Sequence, residues 1–217
     1  MMWRLGFLVV IAAFAVGACG DDSVDIEGLR ERLRTLRSGT FTVTYVVETI
    51  EKAETTVSDA VWYHDGTDDF PPGLDWLDTS GDRGLRIRIV APTSYLCRPV
   101  EGETRCSVDS CCRPTNFDAT FVTPVLEGSG VSVVGSSSET IAGLVAQCYK
   151  LEFDLPLARV EYSALEMCVS EEGLLLSARA GPFQYPPVVG MVVNLTAVAA
   201  STDVEDDVFE RPYPLSD

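Results

Sequence analysis

The sequence predicts an α+β domain, mainly antiparallel β, with one helix at its N-terminal end. Three observations predict it. One segment near the start, from Ile26 to Leu36, has apolar residues at helical spacing. Nearly everything after Thr40 alternates with a period of two. The breaks between those alternating runs are short and rich in Gly, Asp, Glu and Pro, which suits hairpins and leaves few crossovers.

The helix comes first. Asp22 or Ser23 is placed to cap it, with Asp25 and Glu27 in its positive first turn. Ile26, Leu29, Leu33 and Leu36 recur at spacings of three and four and make one apolar stripe. Arg30, Arg32, Arg34 and Arg37 crowd the C-terminal half, where cations suit the helix dipole, and Gly39 ends it. This is a positive concentration in an acidic chain. It reads as a solvated face plus a cap, against the alternative of contact with an acidic partner.

Phe41, Val43, Tyr45 and Val47 alternate with Thr42, Thr44, Val46 and Glu48 as a half-buried first strand. A turn near Glu51-Lys52-Ala53-Glu54 leads to a second strand over 56–64, with Val57, Val61, Trp62 and Tyr63. Residues 65–73 are loop chemistry. Their acids, Asp65, Asp68 and Asp69, are the type that holds calcium, but their spacing fits no calcium-loop motif. Leu85, Ile87 and Ile89 mark a third strand, and 94–98 with 104–108 a short hairpin across Glu101-Gly102-Glu103. Residues 114–130 read as a short helix or a lid-like loop. Strands resume at 130–134 and 139–141, then at 147–153. A hairpin follows, 164–170 with 174–178, and a long late strand over 191–199. No internal repeat and no second domain is visible.

The first eighteen residues have a different logic. Arg4 precedes an unbroken apolar run from Leu5 to Val16, and the small residues Gly17 and Ala18 follow. That is a secretory signal, with a run too short to span a bilayer comfortably. Val16-Gly17-Ala18-Cys19 resembles the lipobox of bacterial lipoproteins. The resemblance implies that Cys19 becomes the acylated first residue and the anchor to the membrane. The expected organisation is therefore a signal peptide at 1–18, a lipidated tether at 19–22 and one domain at 23–217, on a cell membrane and facing the periplasm or the exterior.

Without residues 1–18, 199 of the 217 residues remain, with 15 Lys+Arg against 33 Asp+Glu and a formal charge of −18. Such a surface repels phosphate backbones, so no nucleic-acid partner is expected. Six cysteines remain beside Cys19: Cys97, Cys106, Cys111, Cys112, Cys148 and Cys168. An even number in an exported chain suggests disulfides. Cys97 and Cys106 lie on the two arms of one predicted hairpin, and Cys148 and Cys168 on neighbouring strands. Cys111 and Cys112 are adjacent, where a vicinal bridge is strained and more easily reduced. Spacing alone does not choose among the connectivities.

The chemistry of catalysis is thin. His64 is the sole imidazole and reads as a surface residue at a strand end. There is no Gly-x-Ser-x-Gly elbow, no Gly-x-Gly-x-x-Gly, no P-loop and no Cys-x-x-Cys. With one histidine, a His-rich zinc site is excluded, and no cofactor, resident metal or enzyme activity is expected.

The order of lipobox, amphipathic helix and antiparallel strands resembles the lipoprotein-carrier fold of LolA-like and LprG-like proteins. So do three local pieces: Gly39-Thr40-Phe41-Thr42-Val43-Thr44-Tyr45, Glu139-Thr140-Ile141-Ala142-Gly143 with Cys148-Tyr149-Lys150-Leu151, and Asp206-Asp207-Val208-Phe209-Glu210-Arg211-Pro212. The cysteine-rich middle departs from that pattern. The resemblance implies a strongly curved half-barrel sheet with the N-terminal helix, and a short second one, on its concave face. It also implies an apolar cavity between helix and sheet that takes a lipid or a lipid-modified protein, since burial yields about 0.8 kcal/mol per methylene. The expected lining is Ile26, Leu29, Leu33, Leu36, Phe41, Val43, Tyr45, Trp62, Leu85, Ile87 and Ile89. The alternative on the same fold is an envelope sensor or accessory subunit whose core is filled and whose partner is a protein.

Overall fold

The computed structural model describes residues 26–64, 66, 73–78, 85–90, 93–100, 103–108, 117–154, 162–184 and 189–204; between 73 and 108 it describes backbone, with side chains at Arg105 and Ser107. The signal segment, Cys19, Cys111, Cys112, the acidic loop at 67–72 and the Asp206–Pro212 piece lie outside the described residues.

Helix α1 (Ile26–Ser38) forms where the sequence places it. Leu29, Leu33 and Leu36 are its buried stripe, and Ile26 packs against the same core. The amide of Gly39 donates to the Leu36 carbonyl and closes the last turn. Then come β1 (Phe41–Glu51), β2 (Glu54–His64), β3 (Gly73–Asp78), β4 (Leu85–Val90), β5 (Thr93–Val100) and β6 (Glu103–Val108). A π-helical turn (Asp118–Val122) runs into a five-residue α2 (Thr123–Glu127). The rest is β7 (Val131–Ile141), β8 (Leu144–Phe153), β9 (Ala164–Ser170), β10 (Leu175–Ala180) and β11 (Val192–Ser201).

All eleven strands form one antiparallel sheet in the order β6-β5-β4-β3-β2-β1-β11-β10-β9-β8-β7. The sheet is open, a half-barrel, and the helices lie on its concave face. The first and last halves of the chain meet at the β1–β11 pair, where Val47 faces Leu195 and Glu48 faces Asn194. The sheet also coils tightly. β7 and β11 are four strand spacings apart, about 19 Å in a flat sheet, yet their Cα atoms approach within 8 Å.

Two hairpins turn on two residues each. Lys52 and Ala53 have φ of 51° and 70°, and Ala142 and Gly143 have 49° and 80°. Positive φ at both central positions matches the right-handed twist of the flanking strands, at the steric cost of side chains in the left-handed region.

Two strand predictions need correction. β3 stands where no strand was expected. Its acids Asp75 and Asp78 and leading Gly73 mask the alternation, and the pairing with β2 and β4 decides the segment. β7 is one strand, not two. It runs through Gly135-Ser136-Ser137-Ser138, a sequence that reads as loop, because β8 offers a continuous partner and a register shift between Val133 and Gly135 absorbs the misfit.

Candidate functional site

The concave hollow is stoppered. α1, which contacts α2, β7 and β9, brings Leu29, Leu33 and Leu36 into the core that holds the inner residues of β1 and β2, and the segment 117–125 adds Phe117, Phe121, Val122 and Val125; all are buried. Phe117 is the centre of an aromatic cluster. Its ring is 5.5 Å from that of Tyr45, 6.0 Å from Trp62 and 5.9 Å from Phe121, all edge-on, and Phe41 meets Trp62 edge-on at 5.1 Å. Each such pair adds about 0.5–1.5 kcal/mol beyond area burial.

Two tyrosines tie the polar backbone behind this cluster. The Tyr45 hydroxyl donates to the Leu175 carbonyl at 2.6 Å, and the Tyr162 hydroxyl donates to the Thr120 carbonyl inside the π-helical turn. Burial raises both phenol pKa values, so both remain donors.

Three arginines of α1, Arg30, Arg32 and Arg37, are fastenings, while Arg34 stays on the exposed face beside Glu27 and Glu31. Arg30 donates from Nε to the Val125 carbonyl and from Nη2 to the Gly128 carbonyl, both at 3.0 Å, and from Nη1 to Glu27 at 2.6 Å. Carbonyls at a helix C-terminus lack helical partners and carry partial negative charge, so a guanidinium is the fitting cap for α2. Arg37 reaches Thr123 Oγ1 at 2.6 Å and Glu127 at 3.0 Å. Arg32 donates to the Ser170 carbonyl at the β9–β10 turn at 3.0 Å. In that turn the Glu172 carboxyl is lowered below its ordinary range by hydrogen bonds from its own backbone amide and from Ser170, with Arg32 adding attraction. Its folded pKa is depressed, so this small contribution is present above the carboxylate range and is lost as pH falls through it.

His64 is buried, not on the surface. It ends β2 beneath the C-terminus of α1, with Nε2 2.7 Å from the Arg37 carbonyl. Only an N–H can bind a carbonyl, so Nε2 carries the proton, and the buried Nδ1 has no partner among the described residues. The ring caps the helix and meets Phe41, 5.3 Å away. His64→Ala is expected to destabilise the fold by about 1–3 kcal/mol, because it removes the partner of a partly buried carbonyl and empties a buried ring site; urea denaturation reads the loss.

The eleven residues expected to line a cavity divide into two groups. Ile26, Leu29, Leu33, Leu36, Phe41, Val43, Tyr45 and Trp62 come together, in or against the packed core. Leu85, Ile87 and Ile89 sit on β4, where the backbone register speaks. Val43 pairs with Trp62, Trp62 with Leu74 and Leu74 with Ile89. Tyr45 pairs with Ala60, Ala60 with Trp76 and Trp76 with Ile87. The backbone rows that start at Val43 and Tyr45 therefore continue across β3 and β4 at positions held by apolar residues. Missing from that expectation were Phe117, Phe121 and Val125, half of the stopper. Their spacing of four was the signal in the sequence.

Of the expected bridges, Cys148–Cys168 is formed, between residues directly opposed on β8 and β9. Cys97 and Cys106 are likewise opposed on β5 and β6. The Cys148–Cys168 bond lies on the sheet face opposite the helices, in a groove of about 380 Å³. Its floor is a set of cross-strand rungs. One runs Glu48, Asn194, Arg179, Glu166, Lys150, with an Asn194–Glu48 hydrogen bond of 3.3 Å and a Lys150–Glu166 ion pair of 3.4 Å. The next runs Thr196, Ser177, Cys168, Cys148, Ser137.

This open sheet wrapped on an N-terminal helix and a short second one has solved counterparts. MucB aligns over 88% of this chain and 64% of its own, at 16% identity and a TM-score of 0.51. MucB in its complex with MucA, from Pseudomonas aeruginosa, aligns over 87% and 61%, at 16% identity and 0.50. A LolA superfamily protein from Nitrosomonas europaea aligns over 86% of this chain and 97% of its own, at 14% identity and 0.37. The chain shares the fold of MucB. At these identities the likeness is one of fold alone, and the chain spans about three-fifths of the MucB length it matches. No protein-family model and no curated protein matches its sequence. Among the described residues, no helix is long and apolar enough to cross a membrane.

Proposed function

We propose that this chain is an envelope protein, held at the membrane through acylated Cys19, that works by binding a protein partner on the outside of a filled LolA-like domain. The observation that carries this reading is the packed hollow. Over β1, β2 and β8–β11 the concave face is occupied by the protein's own side chains, and Leu29, Leu33, Val43, Tyr45, Phe121 and Val125 are fully buried there. A hydrocarbon tail entering that space has to displace them. MucB, the fold counterpart with the higher TM-scores, has been solved bound to another protein, MucA.

A second reading rests on a different observation. The apolar rows do not stop at the stopper; they continue to Leu74, Trp76, Ile87 and Ile89 on β3 and β4. A lipid or lipidated protein would lie there, and a longer tail would extend under a loosened 117–127 segment. Each buried methylene contributes about 0.8 kcal/mol to such a complex.

One purification separates the two. The chain without residues 1–19 is examined by native mass spectrometry and its lipid extract analysed. The first reading expects a lipid-free mass and specific capture of a defined envelope protein. Stoichiometric lipid overturns it in favour of the carrier. Separately, Cys19→Ser in the full chain is expected to move the protein from the membrane fraction to the soluble one.

A further inference from the structure

Independently of which partner the domain takes, we propose that the groove opposite the helices holds a thiol-gated site for a borderline-soft divalent ion such as Zn²⁺, with Cys148, Cys168 and Glu139 as its ligands. A Glu139 carboxylate oxygen and the two sulfurs all lie within 4.8 Å of one another. They come from three strands. Cys148 and Cys168 are paired across β8 and β9, and Glu139 is near the end of β7, where that strand lines the same groove as β1 and β11. Two thiolates and one carboxylate, with a fourth position toward the groove for water, is a tetrahedral zinc set.

The bridge keeps the site shut. While the sulfurs are bonded to each other they carry no negative charge to give an ion. Reduction by a thiol reductant, a dithiol protein or a small thiol, moves two electrons onto the pair. The Sγ–Sγ bond breaks, two thiols form, and the reductant leaves as its own disulfide. When Zn²⁺ enters, each thiol releases one proton to water and binds as thiolate, so two protons leave per ion. Lys150 and Arg179 line the groove together with Glu48 and Glu166, Lys150 being paired with Glu166 at 3.4 Å, so the groove presents charges of both signs around the sulfurs.

The fold tolerates such gating. Cys148 and Cys168 are buried at the margin of the core, 8% and 9% exposed, and seven opposed residue pairs between β8 and β9, the two cysteines among them, hold those strands in register. The groove gives the reductant a way in.

The test uses the full chain. It is reduced, freed of reductant, and alkylated with iodoacetamide in the presence of Zn²⁺ or of EDTA. Mass spectrometry then reads each cysteine separately, so metal on other thiols does not confuse the result. The expected outcome is that Zn²⁺ slows alkylation of both Cys148 and Cys168 by ~10-fold or more, and that Glu139→Gln removes most of that protection. Equal alkylation with Zn²⁺ and EDTA overturns the proposal, as does undiminished protection in Glu139→Gln. Circular dichroism is recorded on each sample. If reduction alone melts the sheet, the bond is a structural staple and the gated site is wrong.

Discussion

Phe117→Ala is expected to lower stability by about 3–5 kcal/mol, the range for deleting a fully buried phenylalanine ring. The ring touches Tyr45, Trp62 and Phe121, and so joins the 117–125 segment to the aromatic face of β1 and β2. Alanine leaves a void that Trp62 and Tyr45 cannot fill, since Tyr45 is tethered through its hydroxyl to Leu175. Urea denaturation measures the effect as a drop in midpoint at unchanged slope. A loss under ~1 kcal/mol would show that the ring is not part of the core. The same variant bears on function. If hydrocarbon can enter the hollow, emptying its centre should increase co-purifying lipid; if the hollow is only a core, the variant is merely less stable.

The second large effect is local. Arg30→Ala removes two charge-assisted hydrogen bonds to the carbonyls of Val125 and Gly128, each worth about 1.5–3 kcal/mol when the partner is left unsatisfied. Water recovers part of that, because the site is only partly buried. The expected global loss is about 1–3 kcal/mol. The more telling readout is hydrogen exchange. Amides of 117–128 should exchange faster while those of β8 and β9 keep their protection, because the latch joins only α1 and α2. Arg34→Ala is the control. Its contacts with Glu27 and Glu31 are exposed, and it should change stability by no more than ~0.5 kcal/mol. Equal effects from Arg30 and Arg34 would mean that neither is a latch.

Much of the fold was legible because its signals are local. The α1 stripe, the β1 alternation and the β9–β10 hairpin follow from side-chain period and turn residues, and the structure places them within a few residues of expectation. Cys148 and Cys168 read as neighbours because the strands carrying them did. β3 and the middle of β7 were not legible. A segment with acids, or with four small residues in a row, becomes strand only when a partner strand satisfies its backbone. His64 failed for the same reason. Its own flanks, at a strand end beside Asp65, say surface, whereas the Arg37 carbonyl that captures it arrives from an element 27 residues earlier. The arginines were assigned to the right helix with the wrong occupation, since α2, their partner, lies about 90 residues further on.

By itself the sequence determined the acidic charge, the helix, most of the strands and the apolar inventory of the hollow, because composition and period act over a few residues. Tertiary structure alone decided that side chains of α1 and 117–125 pack the hollow over β1, β2 and β8–β11, that Arg30 and Arg37 fasten the second of these segments, and that Glu139 reaches the Cys148–Cys168 pair. Those outcomes depend on which distant segments share a volume, and close packing settles that only when the whole sheet has coiled.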